Sequence, residues 1–219
     1  MECIIGVAFK DFVILATDAT SVSSIIVQKH NEEKVYKLSD HLMMAVSGAS
    51  GDTHQFAEFI AKNVQLYKMR NNYELSTAAA AHFTRQNLAQ SLRSRSAYNV
   101  NMLLAGFDKD AGGELFFLDY LAASIKLNYG AHGYGGMFAT SILDRYYRKD
   151  MNEDEAYKLV KMCVSDIHRR LLVNLARFHV HVVDRDGLRK LDPIVIEGDN
   201  LVLGKRPGDE PMVLEELMA

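Results

Sequence analysis

An α/β fold of the α+β kind, built as a four-layer αββα sandwich, is predicted by three observations. The elements run strands, two helices, strands, two helices, strands. The strand segments are nearly continuous apolar runs, which requires cover on both faces. The helix segments carry one apolar face each. Two sheets packed face to face, with a helix pair outside each, satisfy all three.

Cys3 to Phe9 and Phe12 to Ala16 are dense in apolar and β-branched residues, and Lys10-Asp11 between them predicts a hairpin. His41 to Ser47 reads as another buried strand. A helix is predicted from Asp52, where Gln55 three residues on completes a capping-box pattern. Its apolar face is Phe56, Phe59, Ile60, Val64 and Tyr67. A second helix runs from about Ser76 to Arg95, its Ala78 to Ala81 run favouring helix and close packing. Asn101 to Phe107 and Leu115 to Asp119 pair around Asp110-Ala111-Gly112-Gly113, and Ser124 to Asn128 adds a strand. After Gly130 to Gly136 comes a helix with Phe138, Ile142 and Tyr146 four apart. Asn152 and Glu155 cap the last helix, whose buried face is Ala156, Val160, Cys163, Ile167 and Leu171. Phe178 to Asp184 returns to strand, and Asp186-Gly187 turns it toward Leu188 to Leu191. Residues 1–197 read as a single domain. The Gly-, Pro- and acid-bearing residues 198–219 read as an arm lying on the surface or on a neighbour.

Composition narrows the function classes. A 48% hydrophobic content with only 3 prolines in 219 residues belongs to a packed globular chain. No apolar run approaches the roughly 20 residues of a membrane helix. No basic stretch followed by an apolar core opens the chain, so no secretory signal is expected. Two cysteines, Cys3 and Cys163, suggest no disulfide framework and fit a reducing compartment. A net charge of −3 with the signs interspersed gives no nucleic-acid surface. Arg93, Arg95, Arg145, Arg148, Arg169 and Arg170 alternate with acids and polar residues, as solvated faces and subunit contacts do.

Asp18, Lys34 and the loop Ser47-Gly48-Ala49-Ser50-Gly51-Asp52 are spaced as in the beta-type subunits of the proteasome, which are N-terminal nucleophile hydrolases. The chain resembles that family over nearly its whole length. The most specific stretches are Leu103 to Asp108, Asp119 to Ala123, Ala131-His132-Gly133-Tyr134-Gly135 and Ser141 to Tyr147. The ordered set is most like the noncatalytic members, that at position four of the eukaryotic ring in particular. Active members expose an N-terminal Thr whose hydroxyl attacks the peptide bond and whose own amine is the base.

The resemblance implies the N-terminal nucleophile hydrolase sandwich, but an incomplete catalytic apparatus. Glu2 stands in place of the Thr, with Met1 ahead of it. Asp18 matches the acid that orients the catalytic Lys, and Lys34 matches that Lys. Tyr134 stands where active members place Ser, and Leu171 and Asn174 lie near the later Asp and Ser. The Gly-Thr pair at which active members are cleaved does not occur, and no propeptide is expected ahead of the first strand. The implied role is structural: a proteasome core subunit of cytoplasm and nucleus that supports assembly and ubiquitin-dependent degradation by active neighbours. Its implied partners are other beta subunits of its ring, an alpha-ring subunit and the opposite beta ring. No catalytic residue, cofactor or metal is implied, and no nucleic-acid or membrane partner.

Each sharp reading has a plainer rival. Asp18 and Lys34 are either surviving catalysts or an ion pair tying two strands, and without a nucleophile the ion pair is favoured. An amidase using Cys3 requires loss of both Met1 and Glu2, one residue off the nucleophile position and so on the opposite face of the strand. A packed cysteine is the simpler reading. His179 and His181 share a strand face and could begin a metal site, but no ligand at a familiar spacing lies near, which favours interface or partly buried histidines. The Ser47 to Asp52 loop lacks the Lys and length of a phosphate loop, and Gly133 to Gly136 lacks the Ser of a nucleophile elbow.

Overall fold

A computed structural model describes residues 2–23 and 26–196. The predicted hairpin is β1 (Cys3–Ala8) and β2 (Phe12–Asp18), paired antiparallel. Three strands that the sequence pattern did not reveal follow: β3 (Ser21–Ser23), β4 (Ile26–Lys29) and β5 (Val35–Ser39). Then come β6 (Leu42–Gly48), α1 (Ser50–Asn71), α2 (Thr77–Ser91), β7 (Val100–Asp108), β8 (Gly112–Leu118) and β9 (Ser124–Leu127). The second half closes with β10 (Tyr129–Gly133), α3 (Gly136–Tyr146), α4 (Glu153–Arg170), β11 (Arg177–Asp184) and β12 (Gly187–Val195).

Two five-stranded antiparallel sheets result, ordered β10-β1-β2-β11-β12 and β5-β6-β7-β8-β9, beside the small β3-β4 hairpin. Strand alternation divides the core into three layers. From β1, Ile5 and Val7 point outward to α3 and α4, where they meet Leu143, Val160, Cys163 and Ile167. Ile4 and Ala8 point inward and pack with Leu15, Met43, Leu103 and Leu115 between the sheets. On the far side Met44, Met102 and Leu104 meet Phe56, Ile60, Ala80 and Leu88 of α1 and α2. The four-layer α+β sandwich is thus present.

Several local expectations are corrected. α1 begins at Ser50, two residues before Asp52, and its N-cap Ala49 offers no side-chain bond. The Asp52 carboxylate instead accepts from the Asn99 N–H at 3.0 Å, tying the helix to the entry of β7. Phe59 is 44% exposed rather than part of the buried face. α2 ends at Ser91, short of Arg95. Tyr129–Gly133, where the sequence pattern predicts no strand, pairs with β1. In α3 the buried residues are Gly136, Ala139 and Leu143, with Phe138, Ile142 and Tyr146 at the margin of the same cluster. The proposed arm, 198–219, lies outside the described residues.

The α4 capping box forms as predicted: Glu155 N–H donates to Asn152 Oδ1 at 2.9 Å, and Asn152 N–H to Glu155 Oε2 at 3.0 Å. Asn152→Ala should therefore lower the stability of the purified chain by about 1 kcal/mol. Urea melts check this; an unchanged midpoint would show that the box contributes nothing.

Candidate functional site

The three predicted site residues meet at one end of the sandwich. Asp18 closes β2, Lys34 immediately precedes β5, and Glu2 immediately precedes β1. Asp18 is fully buried and Lys34 is 4% exposed. The Asp18 carboxylate accepts from Lys34 Nζ at 2.8 Å, from the Cys3 N–H at 2.8 Å and from the Thr20 N–H at 3.2 Å. Lys34 Nζ also donates to the Thr20 carbonyl at 2.9 Å. Burial pushes the Asp18 carboxyl up, while the Lys34 ammonium and the Cys3 amide pull it back toward ionisation. A carboxylate with three donors and an ammonium with two oxygen partners form a satisfied unit, which a buried ion pair requires.

Glu2 completes this unit in a way that sequence reasoning missed. Its Oε1 lies 3.3 Å from Lys34 Nζ, and its Oε2 accepts from the Gly48 N–H at 2.7 Å. Gly48 can present that N–H because its φ is +146°, and a Cβ there would lie 2.2 Å from the Asn99 carbonyl oxygen. Nothing in the residue type of Glu2 announces such a bridge. The one available signal was the loop from Ser47 to Asp52, whose spacing from Asp18 and Lys34 carries part of the family resemblance. Around the bridge, Tyr36, Thr53 and His54 enclose a cavity of about 20 Å³. That volume holds about one water and no peptide side chain. A larger cavity of about 320 Å³ lies near the opposite ends of the strands, among Ser39, Glu74, Thr77 and Arg185, and includes none of these residues.

The other positions are not gathered into the unit. Tyr134 is 60% exposed just ahead of α3. Leu171 is the C-cap of α4 and packs against the outer core layer; Asn174 is exposed. His179 and His181 face Glu33 at 3.5 and 3.6 Å, and Lys190 donates to the same carboxylate at 2.5 Å. Among the described residues no three His, Cys, Asp or Glu side chains are grouped to hold a metal.

A family model described as "Proteasome subunit" matches residues 1–183. The chain belongs to the proteasome subunit family. Among its relatives is the rice (Oryza sativa subsp. japonica) "Proteasome subunit beta type-2", 48% identical over 190 residues, which cover 87% of this chain and 89% of the relative. "Proteasome subunit beta type-4" of Saccharomyces cerevisiae is 44% identical over 193 residues, 88% of this chain and 98% of the relative. "Probable proteasome subunit beta type-4" of Schizosaccharomyces pombe is 42% identical over 193 residues, 88% and 100%. This is a beta-type member, and the sandwich is the one the proteasome resemblance implied. Membership in the family places the chain in an assembly with other proteasome subunits.

In this proteasome subunit Cys3 is wholly buried, and its N–H is held by Asp18. Burial pushes its thiol far above the usual range, with the Asp18 charge adding to the effect; burial pushes Cys163 up to about 12. Neither thiol should react with iodoacetamide in the folded chain, and both should in denaturant. Rapid modification of Cys3 in the folded chain would revive the Cys3 nucleophile.

Proposed function

We propose that this chain is a noncatalytic beta subunit of the 20S proteasome core, acting in the cytoplasm and nucleus. It holds active neighbours in place and walls the chamber in which they degrade ubiquitin-marked proteins. Its neighbours are other beta subunits of its ring, an alpha-ring subunit and the opposite beta ring. A seven-membered ring of distinct subunits needs two different side surfaces on each chain, so these contacts are heterologous.

The observation that carries the reading is the Glu2 carboxylate. Threonine chemistry needs a hydroxyl beside Lys34 and a free amine as base. Here an acceptor-only carboxylate binds both the Lys34 ammonium and the Gly48 N–H. The group that would attack is missing, and the groups that would serve it are occupied. The Cys3 amidase has no support from a strand cysteine without access to solvent.

Native mass spectrometry of the chain drawn from its own cells tests the proposal. The expected result is a very large complex whose released chain still carries Glu2, with every peptidase activity unaltered by Glu2→Ala. A small oligomer, or a chain trimmed to Cys3, would overturn it. The exposed Tyr134 and the β3-β4 hairpin border the same end of the molecule, and we assign them to shaping a neighbour's substrate cleft. Alanine changes there that leave all peptidase activities intact would remove that assignment.

A further inference from the structure

The cavity of about 320 Å³ shares no residue with the Glu2 unit. Its walls come from the β5-β6 turn, the start of α2, the β7-β8 turn and the β11-β12 turn. That volume is at the lower end for a small-ligand site. Two kinds of group there lack partners. Ser39 is 2% exposed and lines the cavity, yet its Oγ has no hydrogen-bond partner. The Glu74 carboxylate feels the dipole of that hydroxyl but makes no hydrogen bond with it. A buried hydroxyl left unpaired is costly and signals a missing partner. At the start of α2, Ser76 takes the Ala79 N–H on its Oγ at 3.3 Å and the Ala80 N–H on its carbonyl at 2.9 Å. The N–H groups of Thr77 and Ala78 have no partner among the described residues. No acidic residue stands in the first turn of α2. Orphan donors at the positive end of a helix dipole favour an anion.

The charges agree. Arg185 and Lys109 line the cavity and make no ion pair among the described residues. His41 anchors the Arg185 backbone, its Nε2–H donating to the Arg185 carbonyl at 3.1 Å. Two of the three lining carboxylates are engaged. Glu74 accepts from Lys68 Nζ at 2.6 Å, and Asp108 from the N–H groups of Asp110 and Ala111 at 2.9 and 3.4 Å. Only the Asp110 carboxylate opposes an anion unengaged, against two cations and the helix end.

We propose that this cavity binds the phosphate group of a small soluble compound, with Arg185, Lys109, the Ser39 hydroxyl and the Thr77 and Ala78 N–H groups as donors. The test titrates inorganic phosphate and glycerol 3-phosphate into the full chain at constant ionic strength, following amide chemical shifts and the melting temperature. Expected are saturable shifts at Thr77 and Ala78 and a melting temperature that rises with ligand. Tighter binding of glycerol 3-phosphate would assign the site to an ester, and equal binding to free phosphate. Arg185→Gln should weaken binding about tenfold, through loss of a charge-assisted donor. Asp110→Asn should tighten it about threefold, through loss of the opposing charge. Ser39→Ala should weaken binding about tenfold. It should leave the phosphate-free melting temperature unchanged, because the hydroxyl it removes bonds nothing. A lower phosphate-free melting temperature in Ser39→Ala would make the serine a structural residue and overturn its role. The proposal as a whole falls if Thr77 and Ala78 do not shift, if chloride shifts them equally, or if Arg185→Gln and Asp110→Asn bind as the parent does.

Discussion

Lys34→Met is expected to destabilise the chain by roughly 3–5 kcal/mol, the cost of leaving a buried charge without its partner. The reason is the completeness of the unit around it. Asp18 is fully buried and its Oδ2 loses an ammonium at 2.8 Å; Glu2 loses the same cation at 3.3 Å. The Thr20 carbonyl loses its donor as well. Asp18 should respond by taking up a proton. Burial already pushes its carboxyl up, and without Lys34 it rises further. The sign of the pH effect follows. A carboxyl whose folded pKa exceeds its unfolded value favours the folded state only while protonated. The penalty of Lys34→Met should therefore be full near neutral pH and shrink as pH falls through the raised Asp18 value. Adding Asp18→Asn should recover part of the loss at neutral pH, since the amide oxygen can still accept from the Cys3 N–H. Urea melts of the single and double variants measure both. A Lys34→Met chain as stable as the parent would mean that the ion pair contributes no net stability.

Acid lability is the second large effect. His132 lies beneath Phe117 with ring centroids 3.9 Å apart, and its Nε2–H donates to the Met102 carbonyl at 3.1 Å. Burial brings its pKa down to about 4. His181, on the inter-sheet side of β11, is also brought down to about 4 by burial; Glu33 opposes the shift, and Lys190 and His179 add to it. An unfolded histidine titrates near 6.5. Between about pH 6.5 and 4 the unfolded chain binds protons that the folded chain does not, so stability is full above pH 6.5 and falls with falling pH. Each histidine contributes on the order of 3 kcal/mol to that loss, at 1.36 kcal/mol per pKa unit. Glu33, whose carboxyl burial pushes up but its hydrogen bond from Lys190 and the charges beside it hold low on balance, adds loss in the same direction as pH falls below the ordinary carboxylate range. Denaturant midpoints from pH 7.5 to 4.5 should show the slope, and His132→Gln should flatten it. A stability independent of pH over that window would show that these rings titrate normally in the fold.

The sequence pattern located most elements, and its failures have common causes. β10 escaped detection because Tyr129-Gly130-Ala131-His132-Gly133 has two glycines and no apolar run. It becomes a strand through its register with β1, Cys3 opposite Gly133 and Val7 opposite Tyr129. The Asp52 cap failed because the carboxylate found a tertiary donor, Asn99, 47 residues away. Phe59 fits the α1 period yet is 44% exposed, since periodicity marks the side of a helix and not how far the sheet beneath it extends.

By itself the sequence determined the sandwich and the proteasome resemblance. Both rest on local quantities: strand and helix periods, and short motifs in a fixed order. That resemblance in turn implies that Glu2 stands where active members carry a hydroxyl. Only the tertiary structure decided what Glu2 does. Its carboxylate reaches Lys34, 32 positions along the chain, and the Gly48 N–H, 46 positions along. Those partners meet because three strand ends converge at one end of two packed sheets, and that convergence is a property of sheet order that no local pattern encodes.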